Sequence, residues 1–270
     1  MPNPEYAFFP PNSTPASPRA AGFRLGHIGT HTSRTIMFAE LASTLAVVPS
    51  GGKPEDYAAA IIEGNCLGKA TVATRRLTLQ RLRELYALDS AVPIFRILRR
   101  LWELDTAGRP LLALLAALAR DPLLLATAEV VLSLPKGAEF QRVPMRDALA
   151  QTVDNRLNES TLNKVVRNTA SSWTQSGHLE GRTFKHRQFV TPTPASTTFA
   201  LYLARAVGFG TEESLSSGWM KSLDCSASSA LEMATAAKRI GLLDLRMAGN
   251  VIDLRLDRLD PLFRGSAQTR

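Results

Sequence analysis

Apolar residues recur every three or four positions over the stretches 32–48, 55–63, 71–88, 92–104 and 111–134. This spacing places apolar side chains on one face of an α-helix. Proline and glycine residues separate the stretches, as expected where helices end. The pattern therefore predicts a bundle of about five or six helices over residues 32–134.

The stretch 111–134 is the most apolar part of the chain, and Arg120, Asp121 and Pro122 interrupt it at its middle. Each half is too short to cross a hydrocarbon layer of about 30 Å at about 1.5 Å per residue, and a central Arg-Asp pair is costly in lipid. We therefore expect two packed core helices broken at Pro122 and no membrane partner.

The helix predicted over 71–88 has an apolar and a basic face. The leucines predicted to face the core are Leu77, Leu82, Leu85 and Leu88, and the arginines that point elsewhere are Arg75, Arg76, Arg81 and Arg83. Such a face could follow a phosphate backbone, with Arg75 and Arg76 as contacts, or could be an ordinary solvated face. The pattern leaves both interpretations open.

Residues 142–192 are predicted to form a winged helix, which is a helix-turn-helix followed by a β-hairpin. A short helix from Met145 to about Val153 and a turn at 154–158 lead into a longer helix from Glu159 to about Gln175, and Gly177 follows it. This order of a helix, a turn and a longer helix is typical of DNA-binding units.

The longer helix has two distinct faces. The apolar face comprises Leu162, Val165, Val166, Thr169 and Trp173, and the polar face comprises Thr161, Lys164, Arg167, Asn168, Ser171 and Gln175. A merely solvated helix usually mixes Glu and Lys at i to i+4 spacing, whereas this polar face is poor in acids and rich in donors. We therefore predict that it contacts base edges and phosphates.

The stretch 178–190 predicts a two-stranded ribbon with basic side chains near its tip, as in the wing of a winged helix. Arg182, Lys185 and Arg187 are predicted to bind the phosphate backbone there. A winged helix used for protein contacts is the alternative interpretation.

Residues 196–258 predict a second winged-helix-like unit. Helical patterns at 197–207, 211–216 and 226–240 precede two alternating stretches around a turn at 247–250, a composition suited to a hairpin. Its aspartates offset its arginines, so this unit is expected to have a structural or partner-contact role.

The distribution of charge along the chain indicates where nucleic acid would bind. The 270 residues, 45% of them hydrophobic, can bury a core without a disulfide or a metal. The net charge of +8 is concentrated at 69–109, with an excess of +5, and at 142–190, with +4.

Residues 1–31 are rich in proline and glycine and predict a flexible arm, in which Tyr6, Phe8 and Phe9 are expected to pack on the chain's own body.

Catalytic and metal chemistry is not predicted. The four histidines are scattered, and no phosphate-binding loop, HExxH or GxSxG motif is present. Cys66 and Cys225 lie far apart without ligand spacing, which indicates buried free thiols in a reducing, cytoplasmic compartment. We expect no enzyme activity, no cofactor and no metal.

Three motifs stand out along the chain. They are Ser33-Arg34 opening an apolar helix, 65–69 (Asn-Cys-Leu-Gly-Lys) leading into Thr74-Arg75-Arg76, and Ser160-Thr161-Leu162 heading a basic helix that runs to 177–179 (Gly-His-Leu). With these motifs the chain resembles the BrxA family, small accessory proteins of the BREX bacteriophage-defence systems. The resemblance implies an all-helical protein with winged-helix elements, DNA binding and a supporting role in phage restriction. The proline-rich arm and the second hairpin unit depart from it.

Together these patterns predict a mainly α protein, a helical bundle followed by two winged-helix units, that binds duplex DNA and works with other defence-system proteins. The alternatives are RNA binding, or a non-catalytic assembly subunit that docks larger defence proteins without contacting nucleic acid. Salt dependence separates the last alternative, because counterion release requires contacts to phosphates.

Overall fold

The structure is a computed structural model that describes residues 7–11, 16–26, 29–154, 156–249 and 251–260. The predicted mainly α class is confirmed, with 57% helix and 6% strand. The first half of the chain contains α1 (Ala16–Ala21), α2 (Phe38–Val47), α3 (Pro54–Ile62), α4 (Val72–Tyr86), α5 (Pro93–Leu104), α6 (Arg109–Arg120), α7 (Pro122–Leu125) and α8 (Ala128–Leu132).

The second half repeats an order of helices followed by a hairpin. Its first set of elements is α9 (Arg142–Thr152), α10 (Glu159–Gln175), β1 (Leu179–Glu180) and β2 (His186–Arg187). Its second set is α11 (Pro194–Ala206), α12 (Thr211–Ser216), α13 (Gly218–Lys221), α14 (Ala227–Arg239), β3 (Asp244–Ala248) and β4 (Val251–Arg255). Both hairpins are antiparallel; Leu179 pairs with Arg187 in the first and Leu245 with Leu254 in the second.

Helices α6 and α11 form the centre of a core that is continuous from the bundle to the second hairpin unit. No charged side chain separates Pro110 from Arg120, and residues 111–119 are buried on every side, as expected for a helix that is apolar all round. Helix α6 packs against α4, α5 and α11. The C-terminal unit therefore shares its core with the bundle.

The predicted break in the apolar stretch 111–134 is confirmed at Asp121 and Pro122. The Asp121 carboxylate accepts hydrogen bonds from the backbone N–H groups of Leu123 and Leu124 at 3.0 and 3.2 Å, which caps α7. The chain bends by 106° between Arg109–Arg120 and Pro122–Leu132. Within the described residues, no single helix is long and apolar enough to span a membrane.

The described parts of the predicted flexible arm are packed on the body of the protein. Phe8 and Phe23 contact the Trp219 ring edge to face, with centroids 4.9 and 5.6 Å apart, and Trp219 Nε1 donates to the Phe8 carbonyl at 2.7 Å. The expectation that Phe8 and Phe9 pack on their own chain is confirmed. Tyr6 lies outside the described residues.

Two helix details differ from the sequence predictions. Leu77 is exposed instead of facing the core, because α4 turns Thr78 and Leu79 inward. Helix α2 begins at Phe38, later than predicted. Met37, directly before the helix, has a left-handed φ of 53°, and the Phe38 backbone N–H donates to Gln175 Oε1 at 3.1 Å, which satisfies a donor that local side chains leave open.

Candidate nucleic-acid interface

Helix α10 forms over the predicted residues and buries the predicted apolar face. The Asn158 side chain caps its first turn by accepting from the Thr161 backbone N–H at 2.9 Å. Trp173 is fully buried, and its indole N–H donates to Thr127 Oγ1 at 2.8 Å. These contacts fix the rotation of the helix and so determine which side chains face outward.

One edge of the predicted polar face is covered by the chain between Gly29 and Phe38. Asn168 Nδ2 donates to the His31 carbonyl at 2.8 Å, and the Gln175 side chain caps α2. Thr161 lies on the same edge, seven residues before Asn168, and is half-buried. Asn168 and Gln175 thus use part of their amide groups within the protein, and their predicted role as recognition residues stays a prediction.

The other part of this face is open. Lys164 and Arg167 are exposed, and neither makes a hydrogen bond or ion pair with any residue that the structure describes. Ser160, Asn163 and the half-buried Ser171 continue the row, since spacings of three, four and seven residues keep side chains on one helix face. We call this row, from Ser160 to Ser171, the open stripe.

The first hairpin lies against the C-terminal end of the open stripe. Lys185 Nζ donates to Thr174 Oγ1 at 2.9 Å and to the Gly181 carbonyl at 2.9 Å. Thr174 follows Arg167 by seven residues, so the Lys185 ammonium lies over the same face of α10. Burial, and then repulsion by Arg142, lowers the pKa of Lys185, as expected where positive charges converge.

The tip of the hairpin presents a cation and an aromatic side chain to solvent. Arg182 is exposed and has no hydrogen-bonding or ionic partner among the described residues, and Phe184 is 68% exposed. Gly181 has a φ of +115°, and a Cβ there would lie 2.0 Å from the Phe184 carbonyl oxygen. The tight turn that carries Arg182 therefore requires glycine.

Arg187 is not a backbone-binding residue of the hairpin, which corrects the sequence prediction. In the register of β1 and β2, Leu179 and Arg187 face inward while Glu180 and His186 face outward. The buried Arg187 guanidinium forms a bidentate ion pair with Asp224, which also accepts from the Val190 backbone N–H at 2.8 Å. The side chain fixes the hairpin to the segment before α14.

His178 forms a second link between the hairpin and the C-terminal unit. Its Nε2 lies 3.0 Å from the Ser222 carbonyl and its Nδ1 lies 2.9 Å from Ser176 Oγ. Burial lowers the pKa of His178 to about 4. The imidazole is therefore neutral at pH 7 and carries its proton on Nε2, because a carbonyl oxygen only accepts.

The two arginines predicted on α4 differ in their surroundings. Arg75 Nε donates to the Lys69 carbonyl at 3.1 Å and its Nη1 to the Ile62 carbonyl at 2.9 Å. It braces the connection between α3 and α4 through carbonyl oxygens, so part of its guanidinium is engaged, and its predicted phosphate contact stays a prediction. Arg76 is exposed and lines a pocket with Arg24, Arg83 and Arg120.

A buried serine, histidine and aspartate lie together where the sequence predicts no such cluster. His31 Nδ1 is 2.9 Å from Asp121 Oδ2, and His31 Nε2 is 2.8 Å from Ser172 Oγ. Ser172 Oγ also accepts from the Ile36 backbone N–H at 2.9 Å. All three side chains are fully buried, and their contacts hold residues 29–36 against α10 and the start of α7.

Sequence reasoning could not find this cluster, because its members lie 90 and 141 residues apart and no local pattern joins them.

Within the described ranges no group of three or more His, Cys, Asp or Glu side chains is arranged to hold a metal ion. Comparison with known protein families and with curated proteins gave no match. The function is therefore inferred from the geometry of α10 and the first hairpin.

Proposed function

We propose that this protein binds duplex DNA by placing the open stripe of α10 against the double helix, with the first hairpin gripping the phosphate backbone. The observation that carries the proposal is that this surface has cations without ion pairs. Lys164, Arg167 and Arg182 are exposed and unpaired among the described residues. Lys185 lies over the same helix face. Unpaired cations gathered on one surface attract phosphates, whereas paired ones are already neutralised.

The dimensions of the stripe support an insertion into the major groove. Ser171 follows Ser160 by eleven residues, which corresponds to roughly 16 Å along a helix. The major groove of B-form DNA is about 12 Å wide and admits one α-helix. Lys164 and Arg167 would then lie at the groove, and Arg182 and Lys185 at its flanking phosphates.

The order of the elements supports an interpretation of residues 128–190 as a winged helix. Helices α8, α9 and α10 precede the hairpin, and residues 138–140 run beside β2, where the Arg187 backbone N–H donates to the Ala138 carbonyl at 2.9 Å. A bridge between Glu139 and His186 continues this pairing. An extended segment bridged to a hairpin that follows three helices resembles the arrangement of a winged helix with its wing.

Duplex DNA is a better match than duplex RNA. The major groove of A-form RNA is deep and narrow, and protein side chains reach its base edges poorly. A helix that presents Lys164 and Arg167 to base edges fits the wider major groove of DNA better. RNA binding therefore serves as the comparison in the test.

The wider role proposed here is that of a non-catalytic accessory protein of a bacterial phage-defence system of the BREX type. It is supported by the motifs that resemble the BrxA family. Other defence proteins are the proposed partners.

A second candidate function is docking onto a larger defence protein through the first hairpin. The exposed aromatic side chains of Phe184 and Phe189, at 68% and 55%, favour it, because aromatic residues are enriched at the centres of protein interfaces. Such docking would depend on these apolar contacts and only weakly on salt.

A salt titration separates the two functions. The affinity for a duplex DNA of mixed sequence should fall by about 40-fold to 2,000-fold between about 50 and 200 mM salt if three to six phosphates are engaged. The matching RNA duplex should bind more weakly. An affinity for DNA that does not change with salt, or no binding at low salt, would contradict the proposal.

A further inference from the structure

A basic pocket separate from the open stripe lies where α4 meets the end of α6 and the chain after α1. It has a volume of about 380 Å³ and contains four arginines, Arg24, Arg76, Arg83 and Arg120, with Leu79 as an apolar wall. Glu84 is the only carboxylate among the lining residues. The pocket therefore holds four positive charges and one negative charge.

The carboxylate of Glu84 is occupied by other partners. It accepts from Thr30 Oγ1 at 2.8 Å, from Arg81 at 2.7 Å and from Gln80 at 3.0 Å. Burial would raise the pKa of Glu84, but these hydrogen bonds outweigh it and lower the pKa. Glu84 is thus ionised and balances Arg81, which leaves the four pocket arginines without an acidic partner of their own among the residues that the structure describes.

The pocket arginines are held by neutral acceptors. Arg120 donates to the carbonyls of Arg83, Glu84 and Gly22, Arg24 to the Glu84 carbonyl at 3.0 Å, and Arg83 to the Pro54 carbonyl at 3.0 Å. Carbonyl oxygens orient a guanidinium but do not cancel its charge, and each guanidinium has five N–H donors. These arginines therefore retain both charge and donors.

Arg76 completes the cluster from the exposed face of α4. It makes no hydrogen bond or ion pair with any residue in the described ranges, so all its donors are available. Burial, and then the charge of Arg24, lowers the pKa of Arg120 to about 10. That direction is the one expected of a cation buried among like charges, and a bound anion would relieve it.

We propose that this pocket binds a dianionic phosphate group, carried by inorganic phosphate or by a small phosphomonoester such as a nucleotide. Guanidinium groups match the geometry of phosphate oxygens through paired hydrogen bonds. The excess of positive charge suits a dianion better than the single charge of a backbone diester. A volume of about 380 Å³ lies in the range of small-ligand pockets, and Leu79 offers a surface for the rest of an ester.

Calorimetric titration of the full-length protein with inorganic phosphate and with AMP tests the proposal. Both should bind with a dissociation constant below about 10 mM in low-salt buffer. Arg76→Gln should raise that constant about tenfold, as expected when a hydrogen bond between charged groups is lost. Arg239→Gln, at an exposed arginine of α14, is the matched control and should bind as the original protein does. Absence of binding, or equal binding by Arg76→Gln, would overturn the proposal.

Two further arms identify the source of the phosphate and the location of the site. Tighter binding of AMP than of phosphate indicates a phosphomonoester, and equal binding indicates the free ion. Lys164→Gln should leave AMP binding unchanged, because Lys164 belongs to the open stripe; a loss with this variant would place the ligand outside the pocket. Arg24→Gln, checked for an unaltered melting curve, repeats the test at a second pocket arginine.

Discussion

The two helix and hairpin units, α10 with β1 and β2 and α14 with β3 and β4, share an order of elements and differ in how they are anchored. Helix α10 buries large side chains, including Trp173, whereas the buried residues of α14 are Ala230, Ala234 and Ala237. Large buried side chains fix the rotation of a helix, and small ones allow its backbone to approach a neighbour closely. The difference indicates that α10 is built to present one defined face.

The two units also differ in how many of their positively charged side chains form ion pairs. On the second hairpin, Arg258 pairs with Asp244 at 2.9 Å and Arg255 with Asp253 at 3.4 Å. Around the first hairpin, the buried Arg187 is paired, while the exposed Lys164, Arg167 and Arg182 have no partner among the described residues. Arg246 of the second hairpin is also exposed and makes no ion pair with a described residue, so the two hairpins differ in how many of their cations are paired.

The largest expected effect comes from removing the acid that fixes the first hairpin. Asp224→Ala leaves Arg187 buried without a counter-charge, so the free energy of unfolding should fall by about 3 to 5 kcal/mol. Chemical denaturation measures it. The matched variant is Asp253→Ala in the second hairpin. Because its ion pair is exposed, the free energy of unfolding should fall by at most about 1 kcal/mol. Equal losses in the two variants would show that the two hairpins are anchored alike.

The second prediction compares the two helices. Trp173→Ala should lower the free energy of unfolding by about 3 to 5 kcal/mol because it leaves a large cavity. Ala234→Gly in α14 removes one methyl group and should cost about 1 to 2 kcal/mol, mainly through backbone entropy. A melting temperature unchanged by Trp173→Ala, together with a loss of DNA binding, would mean that α10 is rotated relative to the structure.

The third prediction uses pH to probe the base of the first hairpin. The pKa of His178 is lowered to about 4 in the folded protein, below its ordinary value in the unfolded chain, so unfolding takes up a proton between these two values. Stability should therefore fall by about 1.4 kcal/mol per pH unit as the pH drops from about 6.5 to 4. Denaturation at several pH values measures this slope.

The exposed histidine of the same hairpin provides the control for the pH experiment. His186 is exposed on β2, so His186→Gln should keep the slope, whereas His178→Gln should reduce it. If both variants kept the full slope, another group would be responsible for the loss of stability in acid.

The smallest expected effect concerns the tip of the first hairpin. Arg182→Ala removes one exposed cation, so the slope of log affinity against log salt should become shallower by roughly one unit, equally for different DNA sequences. Arg246→Ala in the second hairpin should leave the slope unchanged. A loss that depends on DNA sequence would mean that Arg182 reads bases.

The sequence predicted α10 well because its bounds depend on local signals, the Asn158 cap, the apolar periodicity and Gly177. It did not predict that residues 29–38 would cover one edge of the polar face, since periodicity does not show which polar residues meet a distant segment. Arg187 was misassigned for a related reason. Strands of two residues offer no alternation from which an inward side chain can be recognised.

The most direct test of DNA binding by the open stripe is the salt dependence of a double variant, Lys164→Gln with Arg167→Gln, measured beside Arg239→Gln with Arg246→Gln. Both doubles remove two exposed arginine or lysine charges, so the net charge of the protein changes equally. The stripe variant should lose roughly two units of the log–log slope and at least about tenfold in affinity at low salt, and the control should lose neither. Equal losses in the two variants would show that binding follows net charge alone and would contradict the assignment of the interface to α10.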